Sequence, residues 1–145
     1  MAYKGKYYPK FPHKYKGDPT TITFRSLWER KYMNWCDKNA NILEWSSEEI
    51  IIPYISPVDN KIHRYFPDFY TKIKETDGKI RKYIIEVKPL KQTLPPKKPK
   101  RQTKGYIREA YEYAKNQAKW KMAKEFCADR QWEFKVVTER ELGIK

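Results

Sequence analysis

The chain has 145 residues, with 32 Lys plus Arg against 18 Asp plus Glu and a formal net charge of +14. That length suits a single domain, and an aromatic content of 16% separates it from disordered basic tails. No run approaches the roughly 18 apolar residues of a membrane-spanning helix; the charged start MAYKGKYYPKFPHKYKGD is no secretory signal, and two distant cysteines, Cys36 and Cys127, form neither a disulfide scaffold nor a cysteine zinc site, so the chain reads as intracellular.

The charge is uneven. Residues 1–19 carry five Lys against Asp18, and residues 89–104 (PLKQTLPPKKPKRQTK) carry five Lys and one Arg with no acid. Two strongly basic segments on a moderately charged body point to a polyanionic partner, nucleic acid first.

In chain order, residues 1–19 interleave Lys with Tyr3, Tyr7, Tyr8, Phe11, Tyr15 and three prolines. This pattern predicts an arm without regular structure that docks on the body or on a nucleic acid, leaving 20–145 as the folded domain. Ser26-Leu27-Trp28-Glu29 is a capping-box pattern, and Trp28, Tyr32, Trp35 and Cys36 recur at helical spacing until Asn39 and Asn41 end the helix. Residues 49–56, 62–74 (bent at Pro67) and 80–88 read as a three-strand meander, with Thr76-Asp77-Gly78 as a hairpin turn. After the basic, Pro-rich stretch, residues 105–129 read as a long helix with Ile107, Tyr111, Ala114, Ala118 and Met122 along one side. A last strand spans 132–138. The order helix, three strands, helix, strand is that of an α/β domain.

Alternation in Tyr83-Ile84-Ile85-Glu86-Val87-Lys88 puts Glu86 and Lys88 on one face, about 7 Å apart. Hydrolysing a phosphodiester calls for a divalent cation held by carboxylates and a positive group beside it. Mg²⁺ takes one or two protein carboxylates and keeps several waters. Asp68, set among Phe66, Phe69 and Tyr70, is a poor strand former and sits where the neighbouring strand, about 4.8 Å away, brings it opposite Glu86. Glu29, at the edge of the first helix's apolar face, is a third acid that also fits the cap. Glu48 and Glu49 read as solvated residues before a strand, and His63 as exposed near a turn.

Asp68 in a Pro-Asp pair, seventeen intervening residues and then Glu86-Val87-Lys88 resembles the PD-(D/E)xK nuclease superfamily, whose element order is similar too. Within it, SLWERKYMNWCDKNANILEWSSEEIIIPY, RYFPDFY and YIIEVKP resemble the TnsA-type transposase endonuclease domain. A fuller resemblance, over nearly the whole length, is to the head-completion nucleases of T4-like tailed phages. The resemblance implies a restriction-endonuclease-like αβββαβ core, a mixed sheet flanked by helices, and a Mg²⁺- or Mn²⁺-dependent endonuclease or exonuclease acting on double-stranded DNA. It assigns catalysis to Glu29, Asp68, Glu86 and Lys88. The metal falls to Asp68, Glu86, the Val87 main-chain carbonyl and Glu29, and Lys119 occupies the region of a supporting polar residue on the following helix.

Two departures from the TnsA-type pattern, a Glu at position 86 where that transposase has Gln and the lack of its C-terminal domain, favour a stand-alone nuclease. The implied role is processing of packaged DNA so that head and tail join, with phage head, portal or neck proteins as partners and no membrane. The setting is the host cytoplasm during assembly, or the virion itself. Arg25, Lys91, Lys97, Lys98, Lys100, Arg101, Lys104 and Lys119 are the candidate DNA contacts, the basic stretch after Lys88 acting as a backbone clamp. The alternative is a DNA-binding structural component of head assembly that uses a nuclease-like fold without cutting; an acid cluster facing a polyanion argues against it.

Overall fold

A computed structural model describes residues 4–143. In chain order come β1 (Gly5–Lys6), a 3-10 turn (Pro12–Lys14), β2 (Thr23–Phe24), α1 (Leu27–Lys38), β3 (Ile42–Ser47), β4 (Ile52–Ile55), β5 (Ile62–Tyr65), β6 (Phe69–Lys74) and β7 (Ile80–Val87). A second 3-10 turn (Leu90–Thr93), α2 (Lys104–Arg130), β8 (Glu133–Val137) and α3 (Glu139–Leu142) complete the chain.

The central sheet has the order β3-β6-β7-β8. β3/β6 and β6/β7 are antiparallel, whereas β7/β8, joined through α2, is parallel. The sheet is therefore mixed and carries helices on both faces. β7 is buried from Tyr83 to Glu86, as a central strand covered on both faces must be. Tyr83 and Ile85 pack with Tyr32, Met33 and Cys36 of α1 around the fully buried Trp45. Ile84 faces the other way, toward Cys127 of α2.

The meander differs from the sequence expectation. Its first strand is β3, over residues to which the sequence reading assigns no element, while 52–55 pairs only with 62–65 as a separate hairpin. The stretch 62–74 is accordingly two strands in two sheets, divided at Pro67. Proline lacks the N–H that a continuous ladder needs there. The hairpin packs on α2, with Ile52, Tyr54 and Tyr65 against Trp120 and Ala123. The buried stripe of α2 is Asn116, Trp120, Ala123 and Cys127, rotated from the expected side, for Tyr111 is 55% exposed.

The N-terminal segment also departs from expectation. Instead of an arm without regular structure it contributes β1, which pairs with β2, and the first 3-10 turn. Gly5 lies against the Phe24 ring, where a Cβ would come within 2.6 Å. Tyr7 and Tyr15 are buried edge-on to Trp45, at ring-centroid separations of 6.0 and 4.8 Å. Asp37, buried in α1, accepts from the backbone N–H groups of Lys10 (2.7 Å) and Phe11 (3.0 Å) and clasps the segment to the helix. Tyr3 lies outside the described residues.

Candidate active site

The site forms where β6 begins and β7 ends. Phe69 pairs with Ile85, so extending that register by one residue sets Asp68 opposite Glu86, on the α2 face of the sheet. Asp68 Oδ2 accepts from the Val87 N–H at 2.8 Å, which fixes the carboxylate against the strand that carries its partner. Glu86 is only 5% exposed; its Oε1 accepts from the Tyr65 hydroxyl at 2.9 Å, and its Oε2 lies 3.9 Å from Lys88 Nζ. Lys119, one turn after Asn116 and next to the buried Trp120 of α2, lies over the Tyr54 and Tyr65 rings at 5.8 and 5.7 Å.

At the start of α1, Ser26 accepts from the Glu29 N–H at 3.1 Å. The reciprocal half of the capping box is not made, because Glu29 Oε1 accepts instead from the Arg25 N–H at 3.3 Å. Arg25, a candidate DNA contact, forms an ion pair with Glu48 at the rim of the site. Glu48 is not simply solvated: burial pushes its carboxyl up, the Arg25 charge eases the rise and Glu29 adds to it. Its N–H bonds the Asp68 carbonyl at 3.1 Å. Glu49 meets the Tyr15 hydroxyl at 3.3 Å, and His63 pairs with Asp59 on the surface.

The electrostatics join these groups. Burial raises the Asp68 carboxyl well above its ordinary range; the neighbouring Glu86 and Glu29 push it further, while the Val87 N–H and Lys88 oppose them. Glu86 is raised by burial and held back by Lys88, Tyr65 and Lys119. Glu29 is likewise raised by burial first, eased by Arg25, pushed by Glu86 and eased by Lys88. Burial lowers Lys119, with Glu86 opposing and Lys115 and Lys88 adding to the fall. Four of the expected residues, Glu29, Asp68, Glu86 and Lys88, thus share one field, and Lys119 joins them. Two buried carboxylates repel and resist ionisation together until a cation compensates them.

The donors are all oxygen, which suits a hard divalent ion. Among the described residues no three acidic, His or Cys side chains converge as a complete cage. Mg²⁺ needs none, because it keeps several waters on one or two carboxylates. Asp68, Glu86 and the Val87 carbonyl therefore fit such an ion.

The description "TnsA-like endonuclease N terminal" belongs to a family model that matches residues 39–139. The chain belongs to that TnsA-like endonuclease family. Asp68, Glu86, Lys88 and Lys119 fall inside the matched stretch and Glu29 before it. Family membership and the helix-flanked mixed sheet together give the restriction-endonuclease-like fold. The head completion nuclease of Enterobacteria phage T4 is 41% identical over 152 aligned residues, which cover 100% of this chain and 99% of that protein. No solved structure matches the chain, and among the described residues no helix is long and apolar enough to cross a membrane.

Of the remaining basic candidates, Lys91 and Lys97 line a cleft beside Lys88. Lys98, Lys100, Arg101 and Lys104 are exposed outside it. Tyr65 was missed because it comes from a strand outside the central sheet, and no spacing in the sequence connects it to Glu86.

Proposed function

We propose that this chain is a Mg²⁺- or Mn²⁺-dependent DNA nuclease that processes packaged phage DNA during head completion, before head and tail join. The observation that carries the reading is the apposition of Asp68 and Glu86 across the β6/β7 register, with Lys88 3.9 Å from Glu86. Family membership and the relative named a head completion nuclease support it.

Asp68, Glu86 and the Val87 carbonyl would hold the metal, with Glu29 supporting the site from the start of α1. When bound, the ion would polarise the scissile phosphate and acidify a water. Lys88 Nζ holds the attacking water in place and balances charge developing on the phosphate oxygens. Tyr65 keeps Glu86 in one rotamer by its hydroxyl, and Lys119 lends the same carboxylate a positive neighbour. The basic stretch 89–104 engages the phosphate backbone without reading sequence, with phage head, portal or neck proteins as partners.

Plasmid cleavage with Mg²⁺, with Mn²⁺ and with EDTA tests the reading on wild type, Asp68→Ala and Lys88→Ala. Cutting that needs metal and falls by about 10³-fold in both variants is expected. Absence of cutting with either metal, or retained activity in Asp68→Ala, would overturn it.

A further inference from the structure

The cleft beside the catalytic strand has an accessible volume of about 690 Å³, within the range of roughly 300–1,000 Å³ that suits small organic ligands. One wall is the segment after β7. Its first turn is fixed to α3 by the Leu90 N–H on Glu139 Oε1 at 2.7 Å, and Pro95 and Pro96 line the wall further on. The other wall is the first half of α2. Lys88 both lines the cleft and faces Glu86 at 3.9 Å, so it belongs to both groups.

The lining is asymmetric in charge. Lys91, Lys97 and Arg108 have no carboxylate within 4.0 Å among the described residues. Of the two acids on the α2 wall, Glu112 is engaged by Lys115 at 3.0 Å, which leaves Glu109. Asn116, only 6% exposed, forms part of the lining; its amide makes no side-chain hydrogen bond with the described residues and, unlike the Trp45 and Trp120 Nε1 atoms, is not sealed from solvent, so its polar end is free to meet a ligand. Being donor and acceptor at once, it matches the polar edge of a base or a sugar hydroxyl. Tyr113, a turn away in the same lining, offers a ring for stacking.

From this combination we infer that the cleft is a nucleotide subsite, which holds the phosphate and base of the strand unit next to the bond being cut. The inference rests on the nuclease reading for its orientation. Lys91, Lys97 and Arg108 take the phosphate, Asn116 and Tyr113 take the sugar–base unit, and Lys88 marks the end at which the scissile phosphate lies. Arg108, Tyr113 and Asn116 enter through the fold alone, since they lie 11 to 28 positions after Lys88, Lys91 and Lys97, across irregular chain and the start of α2.

The test is a titration of ¹⁵N-labelled protein with 5′-phosphorylated tetrathymidylate in EDTA, so that binding is read whether or not the protein cuts. The Asn116 side-chain amide signal is expected to move, and Arg108→Ala and Lys91→Ala each to weaken binding roughly tenfold, as for a charged hydrogen bond. Lys124→Ala, an exposed cation further along α2, is expected to change binding little. A stationary Asn116 signal, or an equal loss from Lys124→Ala, would overturn the subsite in favour of a diffuse field. Thymidine 5′-monophosphate binding as tightly as the oligonucleotide would overturn the assignment to a DNA strand.

Discussion

The Tyr65 hydroxyl donates to Glu86 Oε1 at 2.9 Å, although the two residues belong to different sheets. Tyr65 comes from the β4–β5 hairpin, which is held on α2 by Trp120, and Glu86 from the centre of the main sheet. The inserted hairpin thereby orients a carboxylate of the site, and its bond favours the ionised form of Glu86.

Removing that hydroxyl gives the first prediction. Tyr65→Phe keeps the ring packed on Trp120 and deletes the donor, so activity is expected to fall roughly 10–100-fold, as for other groups that orient a metal-binding side chain. Loss of a bond that lowers the Glu86 pKa must raise it, so the acid limb of the pH–rate profile moves to higher pH. An unmoved limb would mean that the hydroxyl only fills space.

The second prediction concerns stability. Asp68 and Glu86 both have folded-state pKa values raised above their ordinary ones, by burial first. Such groups favour the fold while protonated, below about pH 4, and that contribution is lost as pH rises through the raised values. Metal-free Asp68→Asn escapes part of the loss and keeps an acceptor for the Val87 N–H. Its Tm should exceed that of wild type at neutral pH and converge with it near pH 4, each 1 kcal/mol showing as roughly 4 °C. Conversely, Mg²⁺ at a hundred times its Kd should stabilise wild type by about 2.7 kcal/mol and the variant by much less. Thermal unfolding against pH, with and without metal, reads both.

Much of the site was legible because it lies on short local patterns. Glu86 and Lys88 share a face by strand period, Asp68 is marked by the Pro before it and the aromatics round it, and Ser26 caps α1 as its position suggests. The β3 edge of the sheet was less so. Ile42-Leu43-Glu44-Trp45 follows Asn39 and Asn41, which end the helix, and is not among the strands the sequence predicts, yet Trp45 is the buried centre of one core. The hairpin strands, rich in Ile and Tyr, carry the same local signal as sheet strands; only tertiary pairing tells them apart. Tyr65 matters through a contact that no spacing encodes.

The N-terminal segment supplies a third prediction. Asp37→Ala would take the charged acceptor from the part-buried Lys10 and Phe11 N–H groups, at about 1.5–3 kcal/mol for each hydrogen bond to a charged group. The variant is expected to unfold at lower denaturant with DNA affinity per folded molecule unchanged. A loss of DNA binding with unaltered stability would return residues 4–19 to the role of a free basic arm.

The last prediction separates charge from pocket. Lys98, Lys100 and Arg101 are exposed, outside the cleft, and form no ion pair among the described residues. Such cations act on DNA by releasing counterions, and each phosphate contact contributes about 0.9 to the slope of log affinity against log salt. Replacing all three with Gln should therefore flatten that slope by up to roughly 2.7 and weaken binding to every sequence alike. The pH profile of cutting should stay in place, since none of the three faces Glu86 or Asp68. Fluorescence anisotropy on duplex DNA across a salt series measures the slope, with Asp68→Ala as the non-cutting background. An unchanged slope would move the backbone contacts off the Pro-rich stretch and leave the walls of the cleft to carry them.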